Sequence, residues 1–425
     1  MKIGVARRVI TPAQRVYLAG YGSRTEKTAD AYQDLLATAI CFEEAGEKCV
    51  ILAADLLGFD AEMVETIKRG VQKHTGLGPE KVLLAASHTH YAPAVETKSA
   101  HLYPGIHLDV RGDIENLCIE AVIESAENMQ LVELHYGTSV AAYGINRRVW
   151  NGVDSEMRPN PRGAVDPTVR VLWAVDPQDR VVAVLFSYAC HPTTAGGLMS
   201  MGGDHFGCAA QLVEAAIPGA TAAVLPGCFG DVRPRVVNAA GGFDAGSLEV
   251  VKAFGQELCF AVLSAMSVPE VEIAGPITAA IDAALLPFDH VPDRQALERL
   301  LADPEFSQRK WAEALLDQLN EGDLSAHLEM PVQALRIGNL NIVGLGGEVC
   351  VGYQLRIAAS LSPAPAFVLG YCNAETSYIA TSDMFPFKGY EVATAHFCYG
   401  NPAPLTPECE ERILAKVNEL LAKTR

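Results

Sequence analysis

The sequence of 425 residues has no apolar run approaching the ~18 residues that a membrane span requires. Its first residues, MKIGVARRVITP, include basic side chains but no apolar core of signal-peptide length behind them. Basic residues are scarce overall, since 33 Lys and Arg stand against 51 Asp and Glu. The net charge of −18 argues against nucleic acids and anionic membrane surfaces as partners. We therefore expect a cytoplasmic protein without a stable membrane anchor.

No Cys-x-x-Cys motif occurs among the eleven cysteines, so a thiolate zinc site is not expected. Many cysteines, including Cys41 and Cys118, lie inside apolar runs, which is typical of reduced, buried thiols rather than a disulfide framework. Cys228 follows an apolar strand in a tight turn and loosely resembles a nucleophile elbow, which makes a cysteine hydrolase one alternative. Pro226 occupies the first glycine position of that signature, so a structural role for Cys228 is favoured.

What the sequence does contain is a repeated succession of apolar strands and amphipathic helices. Hydrophobic residues make up 49% and charged residues 20%, which is sufficient for a sizeable core. The hydrophobic spacing predicts helices at 62–74, 112–129, 204–217 and 246–266, a loop at 151–166, and a helical hairpin insertion at 290–328. This pattern favours an α/β fold in which residues 1–425 form one large domain with mixed β-sheets flanked by helices.

The segment VLLAASHTHYAP, residues 82–93, predicts a buried strand that carries His88 and His90 at its end. Side chains two apart on a strand share a face, so both imidazoles are expected to project together. Open α/β sheets bind their ligands at the carboxyl ends of strands. Two imidazoles at such a place indicate either two metal ligands or one ligand beside an acid–base group.

Three further apolar strands lead to side chains that can bind a metal. AVLFSYACHPTT leads to His191, NIVGLGGEV to Glu348, and FVLGYCNAETSYIAT to Tyr378. Together with His88 they supply two nitrogens, a carboxylate and a phenol, a set that a borderline-soft dication such as zinc accepts. Tyrosine is an unusual ligand because its pKa near ~10 must fall, an effect that a nearby cation has.

In this order the motifs resemble the catalytic domain of the neutral/alkaline (non-lysosomal) ceramidase family over nearly the whole chain. The most specific parts are SHTH at 87–90, ACHPT at 189–193, and Tyr378 followed by Tyr390. The resemblance implies the fold of that catalytic domain and a zinc-dependent amidohydrolase that cleaves an N-acyl bond. The ceramidases also carry a C-terminal immunoglobulin-like domain, whereas this sequence ends in a helix just after the catalytic domain, so we expect no such domain here.

The resemblance further implies a role for individual residues. The zinc ligands of the family fall on His88, His191, Glu348 and Tyr378. Three catalytic positions fall on His90, which lies beside the metal-bound water, on Arg147, an active-site arginine, and on Tyr390, which lines the site. Because His90 is not needed as a ligand, it can pass a proton to the leaving amine. An alternative assignment has both His88 and His90 as ligands and Glu348 as the base.

Departures from the family pattern concern the substrate. Where the family continues SHTH with Ser-Gly-Pro, this chain has Tyr91-Ala92-Pro93, and we expect the bulky Tyr91 to change the entrance or substrate pocket. Gly227 and Cys228 stand where the family has a Ser-Asn pair. The small-molecule substrate is therefore open between ceramide, another N-acyl amide, an ester, and a small polar or sugar-containing compound. Whether the protein forms a homo-oligomer is open too.

Two further hypotheses concern the surroundings of this set. Asp55 and Asp231 follow apolar strands and are either partners that orient a ligand histidine or ordinary turn aspartates, two alternatives of equal weight. A protein that binds a metal or ligand without turnover is a third functional class. His90, Arg147 and Tyr390 argue against it, because retention of a metal requires none of them.

Overall fold

The computed structural model describes residues 1–267, 271–303 and 305–425, with the side chains of residues 306 and 307 excepted. The strands of these ranges are β1 (Lys2–Val9), β2 (Leu36–Glu44), β3 (Glu47–Ala54), β4 (Val82–Ala86), β5 (Met129–Leu131), β6 (Glu133–Val140), β7 (Gly144–Trp150), β8 (Ser155–Asn160), β9 (Thr168–Val175), β10 (Val181–Tyr188), β11 (Thr221–Pro226), β12 (Val232–Pro234), β13 (Val271–Ile273), β14 (Ile277–Pro287), β15 (His327–Ile337), β16 (Leu340–Leu345), β17 (Glu348–Val349), β18 (Ala366–Leu369) and β19 (Tyr378–Ile379). The helices are α1 (Ala61–Thr75), α2 (Leu108–Glu127), α3 (Asp204–Ala216), α4 (Leu248–Ser267), α5 (Arg294–Leu300), α6 (Phe306–Glu321), α7 (Val351–Leu361) and α8 (Cys409–Lys423).

Three sheets surround one central core. Their strand orders are β4-β3-β2-β1-β5, β11-β10-β9-β6-β13 and β14-β15-β16-β18. Ile51 of the first sheet, Leu185 of the second and Ile342 of the third belong to the same buried cluster. Helices cover the outer face of each sheet. The first sheet packs against α1 and α2, the second against α3 and α4, and the third against α7 and α8. The predicted α/β fold with mixed sheets flanked by helices is thereby confirmed.

The sequence of β4 is apolar without interruption because the strand is buried on both faces. Val82 and Leu84 pack with the helices on the outer face, whereas Leu83 and Ala85 belong to the central core. Because both faces are buried, no position of the strand tolerates a polar side chain. Each large aliphatic side chain buried there contributes about 1.5–3 kcal/mol.

The predicted elements differ from the observed ones in two places that matter for the site. Strand β4 ends at Ala86, so His88 and His90 lie in the turn that follows and not on the strand. The segment predicted as a loop at 151–166 contains β8, which pairs with β7. The loop prediction was wrong because Gly, Pro and Asn flank a short hairpin whose exposed strand has little apolar character.

The helical hairpin expected at 290–328 is present as α5 and α6. Leu297 of the first helix packs with Trp311 and Leu315 of the second. The indole nitrogen of Trp311 donates to the backbone oxygen of Asn401 at 2.8 Å. This hydrogen bond connects the hairpin to the segment that precedes α8.

Helix α4 is the only helix of the described ranges that is long and apolar enough to cross a membrane by length and composition. Within its most apolar window, 39% of the residues are buried inside the fold. Leu258 and Val262 pack against the second sheet in the same cluster as Trp173. These contacts are those of a core helix.

Candidate metal centre

His88 and His191 follow directly after β4 and β10, two strands of different sheets. The backbone of His88 is left-handed, with φ of +61°, an uncommon conformation for a residue other than glycine. Nδ1 of His88 lies 2.7 Å from the backbone oxygen of Leu57, and Nδ1 of His191 lies 3.0 Å from that of Val232. A carbonyl oxygen only accepts, so both Nδ1 atoms carry hydrogen and donate, which leaves Nε2 available to coordinate a metal.

Glu348 and Tyr378 are brought together by a short parallel ladder. Strand β17 pairs with β19 so that Glu348 lies opposite Tyr378. Oε2 of Glu348 lies 3.0 Å from Nε2 of His191 and 3.3 Å from Nε2 of His88. Glu348 therefore joins His88 and His191, and Tyr378 lines the same cavity as His88 and Glu348, although up to 290 positions separate the four residues.

This donor set fits a zinc-like dication. The ligand atoms around a tetrahedral zinc with bonds of about 2.0–2.2 Å are roughly 3.3 Å apart. The two nitrogen–oxygen distances at Glu348 are 3.0 and 3.3 Å. Nε2 of His88 is buried, and its contact with Glu348 does not have hydrogen-bond geometry. Buried polar atoms normally have a partner, so this nitrogen is placed for a ligand rather than for the fold alone.

The charges of the cluster are strongly coupled. Burial by itself lowers the pKa of His88, but Glu348 and Glu375 outweigh burial and raise it to about 10. Burial opposes ionisation of Glu348, whereas His88 and His191 lower the pKa of this carboxyl well below its usual range. Burial lowers the pKa of His191 to about 4. A dication at Nε2 competes with the proton of His88, so metal binding at this centre releases protons.

His90 lies beside these candidate ligands and lines the cavity in front of them. Its ring centroid is 5.1 Å from that of His88 and 4.8 Å from that of Tyr21. Neither ring nitrogen has a hydrogen-bond partner among the described residues, and burial lowers the pKa of His90 well below its usual value. Donor atoms of His88, His90 and His191 also lie within 4.8 Å of one another. The geometry therefore accommodates His90 both as a proton carrier and as a third imidazole ligand.

Tyr390 lines the cavity, whereas Arg147 lies behind its wall. The guanidinium of Arg147 is 5.3 Å from the ring centroid of Tyr378 and 5.8 Å from that of Tyr390. Its Nε donates to Oε1 of Glu391 at 2.7 Å, and Arg148 binds the other oxygen of the same carboxylate. Burial raises the pKa of the Tyr378 phenol, and the charge of Arg147 opposes that rise. Arg147 thus acts on the site through the two tyrosines.

Two residues of the centre were missed by the sequence interpretation. The Tyr399 hydroxyl hydrogen-bonds to Glu348 and lies 2.7 Å from Oε1 of Glu375. Oε2 of Glu375 lies 3.3 Å from Nδ1 of His88. Glu375 follows β18 in the motif NAET, so the rule that located the other ligands also applies to it. No local pattern marks Tyr399, because it reaches the site from a turn without periodic spacing.

The expectation for Tyr91 needs correction, whereas the structural role favoured for Cys228 agrees with its surroundings. Tyr91 is fully buried, packs edge-on against Tyr32 with ring centroids 6.3 Å apart, and does not line the cavity. It therefore supports the wall from behind and does not narrow the entrance. Cys228 is fully buried in an apolar cluster, and burial raises the pKa of its thiol well above the usual value. A thiol in this environment is a structural residue and not a nucleophile.

Of the two alternatives for Asp55 and Asp231, the contacts favour the structural one. Asp55 accepts from the backbone nitrogen of Leu36 at 3.0 Å, and no contact with a ligand histidine occurs among the described residues. Asp231 accepts from the side chain of Asn146 and from the backbone nitrogen of Val351, both at 2.8 Å. It therefore holds the start of α7 and the strand of Arg147 in place. The Nδ1 atoms of the histidines are oriented by backbone oxygens instead.

The cavity in front of the metal centre has a volume of about 340 Å³. This value lies at the lower end of the range of about 300–1,000 Å³ that is typical of small-molecule sites. Small and apolar residues form part of its wall. The wall also contains five tyrosine and five carboxylate or imidazole side chains: Tyr21, Tyr103, Tyr378, Tyr390, Tyr399, His88, His90, Glu96, Glu348 and Glu375.

This chain is similar to known proteins in sequence and in fold. The family model described as neutral/alkaline non-lysosomal ceramidase, N-terminal, matches residues 1–257. The curated neutral ceramidase of Pseudomonas aeruginosa (strain PAO1) is 28% identical over 206 residues, which cover 45% of this chain and 30% of that protein. The matched region thus spans less than a third of the curated relative.

Two solved structures share the fold. A crystal structure of neutral ceramidase from Pseudomonas aeruginosa has a TM-score of 0.76 at 20% identity, with 99% of this chain and 75% of that chain covered. A ceramidase complexed with C2 has a TM-score of 0.75 at 18% identity over the same shares of the two chains.

Proposed function

Because the chain belongs to the neutral/alkaline non-lysosomal ceramidase family, we propose that it is a zinc-dependent hydrolase of an N-acyl amide bond in a small-molecule substrate. The observation that carries the proposal is the contact of Oε2 of Glu348 with Nε2 of both His88 and His191. The relative named above is a neutral ceramidase, so ceramide is one candidate substrate. An ester or a polar amide is another.

In this proposal His88, His191, Glu348 and Tyr378 hold the zinc ion. When bound, such an ion supplies a Lewis acid and lowers the pKa of a bound water to about 7. The chain contributes the orientation of the ligands through Leu57, Val232 and Tyr399. These contacts fix the directions of the donor atoms of His88, His191 and Glu348.

The neighbouring side chains have separate roles in bond cleavage. His90 has two unpartnered ring nitrogens and a lowered pKa, so it can accept a proton in the cavity and deliver it to the nitrogen of the leaving amine. The Tyr390 hydroxyl lies in the cavity wall, where it can donate to the oxygen of the scissile carbonyl as negative charge develops there. Arg147, next to the ring of Tyr390, favours this donation by its charge.

Treatment with a zinc chelator is expected to abolish hydrolysis of a panel of N-acyl amides and aryl esters, whereas a thiol alkylator is expected to leave it intact. The reason is that the proposed activation of water depends on the ion. Cys228, in contrast, is buried, and its thiol has a raised pKa. Rates on the panel before and after each treatment, with re-addition of zinc as the control, measure this. A loss of activity on alkylation alone would support the cysteine alternative, and bound metal without any turnover would support a binding protein.

The substitution Tyr399→Phe is expected to weaken zinc binding by about 10–100-fold, because it removes the hydroxyl that orients Glu348 while keeping the ring. Zinc affinity measured by competition with a chromophoric chelator tests this. Tyr17→Phe is a matched control, since Tyr17 lies outside the cavity wall. An unchanged zinc affinity in Tyr399→Phe would contradict the role assigned to this hydroxyl.

A further inference from the structure

Glu96 is a buried carboxylate in the cavity wall that the proposed chemistry does not use. Its side chain is 7% exposed, and it lines the same cavity as His88 and His90. Its carboxylate takes part in no hydrogen bond or ion pair with any residue that the structure describes. Buried carboxylates are normally paired because an isolated buried charge is costly. The missing contact is therefore one that a ligand in the cavity can supply.

The charges of His88 and Lys98 act on this group from a distance, but neither side chain forms an ion pair with it among the described residues. Burial is the largest cause that raises the pKa of Glu96 to about 8; the carboxylates of Glu375 and Asp60 contribute to this rise, whereas the charge of His88 opposes it. The ammonium of Lys98 is committed elsewhere, since it donates to the backbone oxygen of Thr376 at 2.6 Å. An ionised Glu96 would thus be stabilised by a positive charge that enters with the substrate.

The rest of the wall suits a cation as well. Tyr21, Tyr103 and Tyr399 line the cavity with Glu96, and no lysine, arginine, asparagine or glutamine is among the lining residues of the described chain. The Tyr103 hydroxyl already accepts from the backbone nitrogen of Gly20 at 3.0 Å, so what this residue offers a ligand is mainly its ring. Aromatic rings and a carboxylate around one space favour an ammonium group.

We propose that the substrate carries a positively charged amino group that binds to Glu96 and the tyrosine rings, next to the amide that is cleaved at the His88–His191 centre. This proposal rests on the proposed function and adds the chemical class of its substrate. The net charge of −18 also favours a positively charged substrate, because it raises the local concentration of cations and lowers that of anions.

The test uses three amides of one short fatty acid that differ in a single terminal group: those of 1,2-diaminoethane, ethanolamine and propylamine. The wild-type protein is expected to cleave the diamine amide with a kcat/KM at least about tenfold higher than either neutral amide. Glu96→Gln keeps the shape of the side chain and should reduce this preference to within about threefold, while Glu96→Asp should retain part of it. Glu65→Gln is the matched control, since Glu65 is 73% exposed on α1, and it should keep the full preference.

Two results would overturn the proposal: an undiminished preference in Glu96→Gln, or a wild-type preference for the hydroxyl or the apolar amide. If none of the three amides is cleaved, the proposed function fails, and binding then decides the inference separately. The probes are ureas of the same amines, which resist hydrolysis, with calorimetry as the measurement. The inference is supported if the wild type binds the ammonium urea more tightly than the neutral ureas and Glu96→Gln does not. It is overturned if the wild type and Glu96→Gln bind the ammonium urea equally well.

Discussion

Replacement of His191 by alanine is expected to remove the bound metal and to lower kcat/KM by at least about a thousandfold. His191 contributes the nitrogen closest to Glu348, with Nε2 3.0 Å from Oε2. Without it, one of four proposed ligands is lost, and the pair formed by His88 and Glu348 lacks its second imidazole. Bound zinc, measured by elemental analysis of the purified variant, and kcat/KM for the best amide are the two readouts.

The controls separate loss of the ligand from loss of the fold. His74→Ala removes an exposed histidine from α1 and should retain both metal and activity. His191→Gln keeps a polar side chain of similar length and should show an unfolding transition close to that of the wild type while it still loses the ion. A His191→Ala protein with full zinc content and unchanged kcat/KM would exclude the proposed centre.

Replacement of Glu391 by alanine is expected to lower the free energy of unfolding by about 3–5 kcal/mol. Its side chain is 3% exposed and binds both Arg147 and Arg148, which are themselves 6% and 9% exposed. Removal of the shared carboxylate leaves two buried guanidinium groups without a counterion, and this uncompensated charge is the main cost. Urea-induced unfolding measures the change. Glu156→Ala is the matched control: Glu156 lies on β8, next to the strand of Arg147 and Arg148, and its side chain is 47% exposed. We expect this control to change the free energy of unfolding by about 0.5 kcal/mol or less.

The same carboxylate has a predictable effect on the pH dependence of stability. Burial opposes its ionisation, but Arg147 and Arg148 outweigh burial and lower the pKa of Glu391 in the folded state. Its contribution to stability is therefore fully present above the unfolded-state pKa of about 4.3 and is lost as the pH falls toward the folded-state value. The wild type should lose more stability between about pH 5 and pH 3 than Glu391→Ala does. Equal slopes in that interval would exclude a strong ion pair at this position.

Most of the fold could be predicted because its elements are defined by local hydrophobic spacing. The helices predicted at 204–217 and 246–266 correspond to α3 and α4, which run from Asp204 to Ala216 and from Leu248 to Ser267. The strand β8 was missed because both of its faces are largely exposed, so no apolar alternation marks it. Local patterns report burial, and an exposed strand leaves no such pattern.

The candidate ligands were predicted by a different route. His88, His191, Glu348 and Tyr378 were named because each follows an apolar segment and because the motifs resemble a known family. Their convergence depends on two sheets and on the β17–β19 ladder, which pairs Glu348 with Tyr378 across 30 positions of sequence. The reason given for His88 and His90 was partly wrong. A left-handed turn after β4, rather than strand alternation, directs the two rings into one cavity.

By itself the sequence determined which segments are buried, where the apolar strands end, and which residue types are available for chemistry, because these properties depend on neighbouring residues. Only the tertiary structure decided that Arg147 acts from behind the tyrosines, that Tyr91 lies outside the cavity, and that Glu96, Glu375 and Tyr399 lie within its wall. Such relations depend on distances between segments far apart in the chain. They are set by how three sheets pack around a common core, which no local pattern encodes.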